Sequence, residues 1–201
     1  MTKEEKKIID ELEKKMIFGE LSLEEFKKQC PLNIVENPMY IKKSLEEAIK
    51  AKDENDFERL HTIVWVFKLY NINAYIELFC KVAKEHWHHS HEDIANLFEE
   101  VASPKTINAI YDLAIMKLDY MEYDEFFNIA RKCTYALGYI NTPKAKEKLK
   151  LLAKNENELI KEYAIKQLNR HDFTNKDVEA QYWWNMKSKK EKFMQNMMIK
   201  Q

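Results

Sequence analysis

Four of the chain's six histidines fall within six residues, in the stretch EHWHHSHEDI at 85–94. His86, His88, His89 and His91 are followed at once by Glu92 and Asp93, and Trp87 is embedded among them. Imidazoles beside carboxylates suit metal binding, acid–base work or recognition. Zinc requires three or four ligands with tetrahedral reach. His88 and His91, three residues apart, share a helical face only if a helix begins early. No CxxC or HExxH pattern accompanies them. Ser90 followed by Asp93 reads as a capping box that starts a helix at Ser90, with Glu92 and Asp93 in its first turn. That accounts for the hydroxyl and the acids. It leaves Trp87, His88 and His91 as recognition candidates on a loop. The two imidazoles are expected to titrate near neutral pH and to make binding pH-sensitive.

A second cluster, DYMEYDEFFNIARK at 119–132, sits at the next helix entry. Asp124 suits a cap, Phe126 and Ile129 read as core, and Tyr123 is a candidate contact. Arg131 and Lys132 face solvent or pair with acids such as Glu92 and Asp93. Neither cluster supplies a nucleophile, an oxyanion site or a phosphate-cradling loop, so no catalytic residues and no metal ligands are assigned. No cofactor is expected.

The elements that must position these residues are helices. Two glycines and four prolines are far below ordinary usage of about 7% and 5%. Hairpins and Rossmann-type loops need glycine, so an all-α fold is expected. Three arginines (Arg59, Arg131, Arg170) among 33 basic residues, with a net charge of −1, disfavour nucleic acid as a partner. No run of about 18 apolar residues exists to span a membrane. The charged start MTKEEKKIIDEL is no signal peptide. Cys30, Cys80 and Cys133 are scattered and odd in number, which suits reduced, buried thiols in the cytoplasm.

Capping boxes at Thr2/Glu5 and Ser22/Glu25 start two N-terminal helices. Gly19 and Pro31 end them. Pro38 opens a third helix, reaching about Lys52. Seven shorter helices follow, with apolar spacing at Leu60–Leu69, Ile72–Val82, Ile94–Val101, Pro104–Leu118, Asp124–Tyr139, Pro143–Ala153 and Glu158–Leu168. The last segment, AQYWWNMKSKKEKFMQNMMIK, carries Trp183 and Trp184. It reads as a C-terminal capping helix.

Self-comparison shows a period. INAYIEL at 72–78 returns as INAIYDL at 107–113. LFEEVASPKTINAIYDL at 97–113 aligns with ALGYINTPKAKEKLKLL at 136–152. Pro104 then matches Pro143, Phe98 matches Leu137, and Ile94 matches Cys133 and Ala164. One helical pair cannot bury its own apolar stripe, whereas stacked pairs can.

The segment CTYALGYINTPKAKEKLKLLAKNENELIKEYAIKQL resembles the short HEAT repeats of phycocyanobilin-lyase-like proteins. The likeness lies in Ala136-Leu137-Gly138, the turn to Pro143, and Ala145, Leu149 and Leu152. It implies a right-handed helical-hairpin solenoid over 56–170, with an N-terminal helical segment at 1–55 and a cap at 171–201. It also implies a non-enzymatic bacterial partner-binding protein, such as an adaptor or an immunity protein that neutralises a toxin. The alternatives within the resemblance are a lyase handling a tetrapyrrole and a nucleic-acid-binding glycosylase. In the favoured reading the partner meets a ridge of aligned helix entries: Trp87, His88, His91, Tyr123, Asp124, Arg131 and Lys161.

Overall fold

The computed structural model describes residues 1–34 and 37–176. They form ten α-helices with no strand among the described residues, as the glycine-poor composition predicts. The expected C-terminal cap, with Trp183 and Trp184, lies outside them. No helix among the described residues is long and apolar enough to cross a membrane.

The chain divides into two compact units between Tyr75 and Ile76, twenty residues beyond the expected boundary at 55/56. The first unit contains α1 (Lys3–Ile17), α2 (Leu23–Gln29), α3 (Pro38–Ala51), α4 (Glu54–Val66) and the start of α5 (Asn73–Val82). Both predicted capping boxes are present. Glu5 N–H donates to Thr2 Oγ1 and Glu25 N–H to Ser22 Oγ, and each glutamate side chain returns to the cap backbone. Gly19 follows α1 with φ +72°, a left-handed turn that glycine adopts without steric cost. Helix α4 belongs here because it packs on α1 and α3. Phe57, Leu60 and Val64 are buried in this unit along with Ile9, Ile41 and Leu45. Arg59 bridges α4 to α1 through both oxygens of Asp10 and also bonds Asp56 within α4.

The second unit holds α6 (His91–Val101), α7 (Ile107–Ala114), α8 (Asn128–Ile140), α9 (Pro143–Leu152) and α10 (Glu158–Arg170). Helix α8 is central and packs against the other four. Cys133, Ala136 and Leu137 on α8 are completely enclosed. Two proline turns share one design. Ala102 follows the end of α6 and Asn141 the end of α8, both left-handed (φ 45° and 55°). A hydroxyl follows each: Ser103 Oγ accepts Lys105 N–H, and Thr142 Oγ1 accepts Ala145 N–H. Pro104 and Pro143 then open the next helical segment, where a missing N–H costs nothing. The aligned residues Ile94, Cys133 and Ala164 are all fully buried.

Two helix limits differ from expectation. Residues Pro104–Thr106 form a 3₁₀ turn, and α7 stops at Ala114 instead of reaching Leu118. Helix α8 begins at Asn128, four residues later than expected, after a 3₁₀ turn at Asp119–Met121. Between these ends lies the loop that forms the site described next. The three cysteines are free thiols. Cys133 is buried, while Cys30 and Cys80 are partly exposed, so full burial holds for one of the three. Burial raises all three thiols, Cys80 to about 11.

Candidate functional site

The histidine loop joins α5 to α6, and its imidazoles are used internally. His88 Nε2 lies 3.0 Å from the carbonyl oxygen of Val82, the last residue of α5. Ser90 N–H donates to His88 Nδ1 at 3.2 Å. A carbonyl only accepts and an amide N–H only donates, so His88 is the neutral tautomer with its proton on Nε2. His91 Nε2 likewise donates to Glu85 O at 2.8 Å, and its Nδ1 lies 2.8 Å from Tyr120 Oη. The two rings stack with centroids 4.2 Å apart. Tyr120 Oη also lies 3.1 Å from His89 O, so one hydroxyl proton serves two acceptors.

His88 thus adds a second donor to Val82 O, which also accepts Glu85 N–H at the end of α5, and His91 satisfies Glu85 O in the loop beyond it. His88 and His91 are 0% exposed, so neither offers a side chain to a partner, contrary to the expected ridge. Burial is the main cause of a lowered pKa for His91, down to about 4, with His88 adding to it. His91 accordingly stays neutral from pH 5.5 to 8, and the expected pH-sensitive contact through it is withdrawn. Ser90 precedes α6 as expected, but its side chain makes no capping bond. Its ψ of 19° is far from the extended backbone of an N-cap residue. The turn is held instead by Ile94 N–H to Ser90 O and by the His88 bond. Trp87 is half-buried, edge-on to His88 with centroids 5.0 Å apart.

The loop between α7 and α8 is built differently. Asp124 Oδ2 accepts Asn128 N–H at 2.6 Å, and Oδ1 accepts Phe126 N–H and Asn128 Nδ2–H. The carboxylate thus closes the start of α8 from four residues upstream. That displaces Phe126 from the helix, and with it from the core: Phe126 is 66% exposed, whereas Ile129 is buried as expected. Tyr123 is 94% exposed. Tyr163 of α10 donates its hydroxyl to Phe126 O at 3.0 Å, tying the loop to the last helix.

A cleft of about 670 Å³ opens beneath this loop, between the end of α7 and the starts of α8 and α10. Buried Leu113, Ala114, Ile129, Ala130 and Ile160 form its floor. Its mouth carries Asp119, Glu122, Asp124 and Glu156 against Lys117. Asp119, Glu122 and Glu156 are exposed, and none forms an ion pair among the described residues. The C-terminal end of α7 adds negative potential and the starts of α8 and α10 add positive potential, so the acidic side chains set the sign of the mouth.

Of the seven ridge residues, the structure brings only Asp124 into the cleft wall. Tyr123 stands in the overlying loop. Arg131 and Lys161 follow the lining residues Ala130 and Ile160 in sequence. Arg131 is exposed and donates to Asn128 Oδ1. Lys161 pairs with Glu158 within α10 at 2.6 Å. Lys132 makes the expected bridge to Glu92 at 3.0 Å and also donates to Asn96, joining α8 to α6. Glu122, Glu156 and the apolar floor were not signalled by the sequence, because they converge from three separated helix ends. No group of three or more histidine, cysteine, aspartate or glutamate side chains suited to a metal ion occurs among the described residues. Compared with known proteins, the chain matches no family model, no curated protein and no solved structure.

Proposed function

We propose that the chain is a non-enzymatic protein-binding module. Its helical hairpins stack as a right-handed HEAT-like solenoid, and it serves as an immunity protein or adaptor for one partner. The observation that carries this reading is the loop over the cleft: the rings of Tyr123 and Phe126 are largely exposed beside an open, apolar-floored cleft. Exposed aromatics of this kind are typical anchors of protein interfaces. The matched αL–hydroxyl–proline turns support the repeat. The non-enzymatic assignment draws support from the histidines best placed for acid–base work, which are occupied with backbone carbonyls. The acidic mouth favours a protein over nucleic acid, since carboxylates repel phosphate.

Affinity capture with the whole chain as bait tests this. The native chain is expected to recover one protein in stoichiometric amount, and the double substitution Tyr123→Ala/Phe126→Ala to lose it. If no recovered protein depends on that pair, the reading is overturned.

A further inference from the structure

We infer that the cleft between α7, α8 and α10 receives a basic, amphipathic peptide segment of the partner, with lysine or arginine flanking apolar side chains. This rests on the partner-binding reading above and names the chemistry of what is bound.

Three observations converge. The floor is aliphatic and buried, so it accepts apolar side chains without desolvating polar groups of its own. Asp119, Glu122 and Glu156 stand at the mouth without a cationic partner among the described residues. Lys117 is the single basic group in the lining among the described residues. An anionic rim over an apolar floor complements a segment that pairs positive charge with hydrophobic surface. Finally, Tyr123 and Phe126 extend the apolar surface beyond the cleft. A long segment would use that extension, while a small cation enclosed below would leave it exposed.

Three of the helix-start N–H donors that would favour an anion are already taken. Asp124 accepts from Asn128 N–H at the start of α8. Asn157 Oδ1 accepts from Leu159 N–H and Ile160 N–H at the start of α10. With those donors occupied and three exposed carboxylates at the mouth, the selectivity is for positive charge.

The test uses the whole chain and a fluorescein-labelled amphipathic lysine–leucine peptide, with a glutamine–leucine peptide of the same pattern as the neutral probe. Binding is read by fluorescence anisotropy at physiological ionic strength, and circular dichroism checks that each variant is helical. The lysine peptide is expected to bind at least about tenfold more tightly than the glutamine peptide. Glu122→Lys/Glu156→Lys is expected to remove that preference. Glu100→Lys/Glu147→Lys, an equal charge change at exposed positions outside the cleft lining, is expected to change affinity less than about twofold. Ile115→Ser, at a partly exposed lining residue, is expected to weaken both peptides. Equal weakening by the two charge-reversed pairs would show attraction to bulk charge and overturn the inference. So would equal binding of the two peptides, or binding of neither. If a partner captured through Tyr123 and Phe126 survives Glu122→Lys/Glu156→Lys, only the basic-segment inference fails. If the peptide results hold but no loop-dependent partner exists, the partner reading fails.

Discussion

Two helix-entry loops, one before α6 and one before α8, put their aromatic and polar side chains to different uses. In the histidine loop, His88 and His91 turn inward while His86 and His89 stay exposed, and each buried ring nitrogen meets a backbone group or a tyrosine hydroxyl. In the loop before α8, one carboxylate closes the helix start and the rings of Tyr123 and Phe126 are left outside. The histidine loop has the residue types of a chemical site and a structural role in the fold. The loop before α8 has the residue types of an ordinary helix start and presents the free groups. What separates them is whether the backbone needs the side chain, since unsatisfied buried carbonyls cost more than exposed aromatics.

That contrast predicts a graded series. Replacing His88 with alanine removes the donor to Val82 O and the acceptor of Ser90 N–H, and leaves a cavity. A loss of about 3 kcal/mol is expected in urea unfolding. A loss under about 1 kcal/mol would show that the ring is not needed.

Acidification is the next largest effect. His91 has its folded pKa depressed to about 4 from an unfolded value near 6.5. Between those values the unfolded chain binds more protons, so the contribution of His91 is fully present above pH 6.5 and lost as pH falls toward 4. The size is of order 2–3 kcal/mol. Asp93, raised chiefly by burial and next by Glu92, and Glu99, raised chiefly by burial, act with opposite sign as pH falls. The readout is therefore the difference between the native chain and His91→Gln across pH 4–7. A flat difference would contradict the assignment.

Gly138→Ala tests the close approach of α8 and α10. A Cβ there would lie 2.7 Å from Gln167 Oε1 and 2.9 Å from the His171 ring. Gln167 is fully buried and cannot swing outward. A thermal-unfolding loss of about 1–2 kcal/mol is expected, despite the better helix propensity of alanine. Lys132→Ala breaks a half-exposed bridge to Glu92 and should cost under about 1 kcal/mol. Tyr123→Ala/Phe126→Ala should change stability least, by no more than about 0.5 kcal/mol.

Much of the helical order was readable from the sequence. Capping boxes, the proline turns and apolar spacing place most helices within a few residues, because those signals act locally. The start of α8 was misplaced because Asp124 caps from a loop four residues before the helix instead of from the position adjoining it. Phe126 went to the surface with that shift. The histidines could not be resolved from sequence, since their partners are backbone oxygens, Val82 O at the end of the preceding helix and Glu85 O in the loop after it. The cleft was invisible for a related reason: Leu113, Ile129 and Ile160 each read as ordinary core positions.

The measurement that separates the two loops most directly is lysine–leucine peptide affinity of two double variants side by side. Tyr123→Ala/Phe126→Ala removes the exposed rings of one loop, and His86→Ala/His89→Ala removes the exposed imidazoles of the other. The expected result is a loss of about tenfold or more for the aromatic pair and no more than about twofold for the histidine pair. A loss confined to the histidine variant would contradict the account and return recognition to the histidine loop.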